Sequence, residues 1–177
     1  MRHTLFQAFF LSFILIIAQQ ISSVLFAWHI IPLTEISLVI LVFIIALGTE
    51  NKLILLTACF TGLLLDLWSP SGFGTIALAL TLTLSISIEI FHRALTNKSL
   101  SALLILGVTA TFTYRIIIFL INSTQFLKNP ESVWKALLDS MMKGGVQAVT
   151  HSMFLLILFV GSRLVSKRLH PHYVHSS

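Results

Sequence analysis

The sequence predicts an all-α membrane protein of about six transmembrane helices with one short interfacial amphipathic helix, and three observations carry that expectation. Of 177 residues, 56% are hydrophobic and only 10% are charged, against about 25% in soluble domains. The apolar residues fall into runs of membrane-spanning length, divided by glycines, prolines and isolated charges. The basic residues gather at alternate connections, as they do in proteins that cross a bilayer several times.

The first span is expected near 5–28, after the basic start Met1-Arg2-His3. A cleaved signal peptide is the competing reading, but the run is long and equally apolar segments follow it. Further spans are expected near 31–48, 53–68, 73–91, 100–121 and 145–165, all in a single membrane domain. The fourth alternates strictly over 77–90, with Leu or Ile at every second position and Ala, Thr or Ser between. Period two is a strand signal, also seen in barrels with a polar lumen. The solid Leu/Ile/Phe runs on either side exclude such a barrel, and the small residues suit close helix packing in lipid.

The stretch 130–143 differs in kind. Asn129 reads as a cap, Pro130 as the first helical residue and Glu131 as an acid in the first turn. Val133, Trp134, Leu137, Leu138 and Met141 share one face, and Glu131, Lys135, Asp139 and Lys143 another. This is a short amphipathic helix, expected to end at Gly144-Gly145 and to lie either in the membrane interface or against the bundle.

Six crossings place both termini on one side, with Arg2, Lys52, Arg93, Lys98, Arg163, Lys167 and Arg168. Opposite them stand only Lys128, Lys135 and Lys143. The excess of positive charge marks the cytoplasmic side, so both termini are expected there. The net charge of +5 is scattered, without a basic tract for nucleic acid.

Ionisable groups inside spans face partners or cavities, because lipid does not solvate them. Asp66, Arg115, His151, Gln19 and Gln20 all fall in the outer halves of their spans. An Asp66–Arg115 pair is the simplest arrangement, completed by the amides or His151. Such a pair serves either helix register or a ligand or partner site. Glu89, near the inner end of its span, is expected to reach interfacial water beside His92 and Arg93. The single Cys59 supports no internal disulfide and reads as a small buried hydrophobe. His170, His172 and His175 lack a fixed fourth ligand, so no metal site is expected, and no cofactor or enzyme signature is present.

The most distinctive string runs over 62–74. Gly62 permits close packing, Asp66 precedes the helix exit, Trp68 suits the interface, and Ser69, Pro70 and Gly72 build a turn. Gly62, Leu63, Leu64, Asp66, Ser69 and Gly72 or Gly74 resemble a pattern of the rod shape-determining MreD family, at a helix-to-helix turn in mid-chain. Length, span number and the basic C-terminal tail are similar as well, although Ser71-Gly72-Phe73-Gly74-Thr75 departs from the family's proline, glycine and histidine there.

The resemblance implies a non-enzymatic scaffold of the cell-elongation machinery in a bacterial inner membrane. Its partners would be an MreC-like single-span protein and, through it, peptidoglycan synthases; self-association is also compatible. It further implies a fold related to the substrate-binding subunits of energy-coupling-factor vitamin transporters. That relation supplies the alternative function, a vitamin-binding subunit with an outer pocket.

Overall fold

The computed structural model describes residues 2–26, 35–69, 72–94, 99–122 and 130–169. Trp28, the start of the second expected span, Pro70, the Asn129 cap and the tail histidines lie outside them. Among the described residues there are six helices: α1 (Arg2–Phe26), α2 (Ile36–Leu47), α3 (Asn51–Asp66), α4 (Thr75–Ala94), α5 (Leu100–Asn122) and α6 (Pro130–Leu169). No strand occurs among the described residues. Four segments are long and apolar enough to cross a membrane, within α1, α4, α5 and α6. At 1.5 Å per residue, the 12-residue α2 extends only about 18 Å and the 16-residue α3 about 24 Å.

The alternating segment is helical, as its neighbours required. Three of its hydroxyls are absorbed by the helix itself: Thr81, Ser85 and Ser87 donate to the carbonyls of Ala77, Thr81 and Thr83, one turn back, while the buried Thr83 hydroxyl has no such partner. Ala77, Ala79, Leu80, Leu84 and Ile88 are buried, while Leu78, Leu82 and Ile86 are exposed. With apolar residues on every side, one face meets the bundle and the other suits lipid.

Short α2 is the axis of the fold. It touches all five other helices, which pack around it in the order α1, α3, α4, α5, α6. Leu38, Leu41 and Val42 of α2 meet Leu15, Ile54, Leu80, Leu106 and Leu155 in one core. The outward surface is as apolar as the inside, with Phe6, Phe9, Phe10 and Phe13 of α1 all exposed. Water would reject such a surface; hydrocarbon accepts it.

One boundary expectation is corrected. Gly144-Gly145 does not end a helix, and 130–143 is not a separate amphipathic element: α6 runs unbroken for 40 residues, about 60 Å. Glycine commonly ends a helix by taking the left-handed conformation. Gly48, which closes α2 at φ 81°, and Gly74 adopt a positive φ; Gly144 and Gly145 do not. Instead α5 lies over this turn, and a Cβ on Gly144 would stand 3.6 Å from both Arg115 Cγ and Phe112 Cε1. Tertiary packing offsets the roughly 1 kcal/mol that a mid-helix glycine costs.

Candidate functional site

The polar groups gather at one end of the bundle. The antiparallel α3 and α4 meet there through the 62–74 turn. A Cβ on Gly62 would lie 2.3 Å from Ala77 Cα, so the missing side chain is what lets the two backbones touch. One helical turn after Gly62, Asp66 then reaches the start of α4. Its Oδ1 accepts from the Ile76 amide at 2.9 Å and its Oδ2 from the Ala77 amide at 3.1 Å.

These amides are unpaired donors of the first turn of α4. The residue before α4 is Gly74, with φ 89° and no side chain to serve as a cap. Asp66 supplies the missing acceptor from a different helix, and its charge opposes the positive end of the helix dipole. Ser69 and Gly72 belong to the connecting backbone, where the Ser69 amide donates to Asp66 O and Gly72 O accepts from the Thr75 amide.

The expected Asp66–Arg115 pair is therefore not formed. Both Asp66 oxygens are engaged by backbone, and among the described residues the ion pairs are Glu89–Arg93 and Asp139–Lys143. Burial at 4% exposure demanded partners for Asp66, and the nearest strong donors were amides rather than a guanidinium.

Arg115 is held otherwise. Its Nε donates to Gln147 Oε1 at 2.6 Å. Gln147 Nε2 stands 3.4 Å from His151 Nε2, and His151 Nδ1 lies 2.8 Å from Thr111 Oγ1. Thr111 Oγ1 in turn donates to Gly107 O at 2.8 Å. One proton assignment satisfies the whole chain. Since the Thr111 hydroxyl proton is committed to Gly107, His151 carries its proton on Nδ1 and gives it to Thr111. Nε2 is then free to accept from the Gln147 amide, while Gln147 Oε1 accepts from Arg115. A neutral imidazole fits this chain; a second proton on Nε2 would face an amide donor.

Gln19 has a third role. Its Oε1 accepts from the Ser37 amide at 3.2 Å, capping α2 from α1 as Asp66 caps α4 from α3. Gln20 is exposed and takes no part. Trp134 is 63% exposed near the N-terminal end of α6.

Three residues of the site were not singled out in the sequence. Glu35 immediately precedes α2, and its carboxyl interacts electrostatically with Arg115 and Tyr114. Tyr114 is fully enclosed, and the Glu35 carboxyl is the group its hydroxyl faces, at the margin of hydrogen-bonding distance. Gln147 links Arg115 to His151. Its signal was legible: Gln147 and His151 are four apart on α6, as Thr111 and Arg115 are on α5, so each pair shares a helix face. Glu35 gave less, because an acid before an apolar run reads simply as a solvated helix start.

At the other end of the bundle, Glu89 and Arg93 form their exposed pair, and Asn51 bridges α3 to His92 of α4 at 3.3 Å. No three His, Cys, Asp or Glu gather as a metal would require among the described residues. Comparison of the chain with protein-family models, curated proteins and solved structures returns no match. The helices and their lipid-compatible surface are those of a multi-pass membrane protein. Within that class, the site is a set of polar side chains employed chiefly to hold helices together.

Proposed function

We propose that this protein is a non-enzymatic scaffold subunit of the bacterial cell-elongation machinery, similar to the MreD family, and acts by holding an MreC-like single-span partner. In this reading all six helices cross the inner membrane. The short α2 crosses inside a shell of longer helices, where no lipid needs to match its length, and both termini are cytoplasmic. The observation that carries the reading is the role of Asp66. The most distinctive residue of the 62–74 string is spent on two backbone amides of its own bundle. A residue so engaged supports a fixed outer turn and a rigid surface for another protein, rather than a catalytic or ligand-binding carboxylate.

One observation favours the alternative, a substrate-binding subunit of an energy-coupling-factor type vitamin transporter. Ser37 Oγ at the start of α2 is buried without a hydrogen-bond partner, and Tyr114 Oη has only the Glu35 carboxyl beside it; a small polar ligand there would satisfy both. Two experiments separate the readings. A scaffold co-purifies with an MreC-like protein, and its depletion rounds rod-shaped cells. A transport subunit binds a vitamin tightly in detergent and co-purifies with a transmembrane coupling protein. An active alkaline phosphatase fusion placed after Lys98 would refute the orientation.

A further inference from the structure

Two opposite charges at the polar end of the bundle do not close on each other. Arg115 and Glu35 attract one another electrostatically, yet they form no ion pair; among the described residues the pairs are Glu89–Arg93 and Asp139–Lys143. One side of Arg115 is firmly held. Its stem packs over Gly144, and its Nε donates to Gln147, which the His151–Thr111–Gly107 chain fixes in turn. The two terminal nitrogens of the guanidinium have no hydrogen-bond partner among the described residues. A planar fork fixed by its stem and one nitrogen is already aimed, and such a fork grips a carboxylate or phosphate through two parallel bonds.

Glu35 is the counterpart at the start of α2. Its half-buried carboxyl has the Tyr114 hydroxyl beside it and no cation in contact. Two residues on, Ser37 Oγ is fully buried without a partner. Buried hydroxyls are nearly always hydrogen-bonded, so an unmet one marks a place where another molecule fits. The neighbouring polar groups add no free charge, because Asp66 is spent on the Ile76 and Ala77 amides and the His151 chain suits a neutral ring. Gln19, which caps α2 at Ser37, and Arg115 each stand seven residues before the ends of α1 and α5, so these groups lie sunk by about 10 Å. At that depth charges left apart are costly, and a molecule that meets both at once removes the cost.

We infer that the start of α2 is a binding site for a zwitterion, with Arg115 taking its acid group, Glu35 its ammonium, and the Ser37 hydroxyl a remaining polar atom. A purely anionic ligand would meet Glu35, and a purely cationic one Arg115, so the site selects by charge pattern. An acid group and a primary ammonium a few bonds apart occur both in free amino acids and in the headgroup of ethanolamine phospholipids. The hydrogen-bond chain from Gly107 to Gln147 then has a second use, which is to orient the guanidinium toward the ligand. The inference goes beyond the scaffold reading and does not depend on it.

The test follows the unfolding temperature of the purified full-length protein in detergent, which a bound ligand raises. One arm adds short-chain phosphatidylethanolamine, with phosphatidylglycerol and phosphatidylcholine as the anionic and quaternary controls. The other adds an equimolar mixture of the amino acids, with acetate plus methylamine as the unlinked control. The expected result is a saturable rise in one arm or both and none with the controls; the arm that responds identifies the source as headgroup or free molecule. Arg115→Gln should weaken that binding about tenfold, equivalent to ~1.4 kcal/mol. Should this variant not fold, Glu35→Gln decides, because it keeps the size of the side chain but should abolish the preference for the ammonium-bearing probe over its control. Arg93→Gln, at the opposite end, should leave binding unchanged. An equal response to phosphatidylglycerol or to acetate plus methylamine, or a Glu35→Gln protein with its preference intact, would overturn the zwitterion assignment. No saturable response in either arm would overturn the site altogether and leave the scaffold reading standing.

Discussion

Replacing Asp66 by alanine tests the central structural finding. The substitution removes the acceptor of two first-turn amides, those of Ile76 and Ala77, at a position only 4% exposed. Losing a side-chain cap costs about 0.5–2 kcal/mol, and leaving a buried donor unpaired costs about 1–3 kcal/mol. Water reaching the freed amides at the turn limits the total, so the expected loss is about 2–4 kcal/mol. Asp66→Asn keeps one acceptor oxygen but turns an amide donor toward the second backbone N–H, and should lose about half as much. The measurement is reversible unfolding in bicelles, combined with hydrogen exchange at the Ile76 and Ala77 amides, whose protection should fall most. Because Asp66 and Arg115 form no contact, Asp66→Asn and Arg115→Gln should add within about 0.5 kcal/mol. A coupling above about 1 kcal/mol would mean that the two side chains meet in the membrane, and would refute the cap as the role of Asp66.

The remaining expectations concern the same joints. Gly62→Ala should force α3 from α4 and weaken the Asp66 cap with it, lowering stability by about 1–3 kcal/mol as overpacking does; an unchanged unfolding midpoint would contradict the Gly62–Ala77 contact. Gly145→Ala should instead raise stability by up to about 1 kcal/mol, because α6 is continuous there; a loss would indicate a real helix break. Gln147→Leu and His151→Leu should each cost about 1–3 kcal/mol, and the double substitution clearly less than their sum, since both sever one hydrogen-bond chain. Gln19→Leu should cost about 0.5–2 kcal/mol, with the lost protection confined to the Ser37 amide at the start of α2.

Much of this architecture was written in local pattern. Runs such as the one leading from Leu5 through Phe26 can satisfy their backbone in lipid only as helices, so helix type needed no tertiary information. Even the alternating segment 77–90 was decided by its neighbours. The grouping of Asp66, Arg115, His151 and Gln19 toward one end was also within reach of sequence, because successive helices that run in alternate directions fix which end of the bundle each position lies at. Gly62 was read as a packing residue and proved to be one.

What sequence could not determine was which of these polar groups would touch. The Asp66–Arg115 pairing assumed that opposite charges at similar depth find each other. That depends on how α3 and α5 are rotated, and on what else is unpaired nearby. Once Gly62 brings α3 onto Ala77, the bare start of α4 stands within reach of Asp66, and two amides take it first. Arg115, turned toward α6, takes Gln147 instead. Gly144-Gly145 shows the same limit from the other side. Glycine permits a helix to end but does not compel it, and only the packing of Arg115 and Phe112 over that turn kept α6 whole. Helical character and an apolar outer surface are properties of local pattern in the chain, and the sequence by itself determined them. Partners depend on rotation and close approach between helices, and those were decided only in the folded bundle.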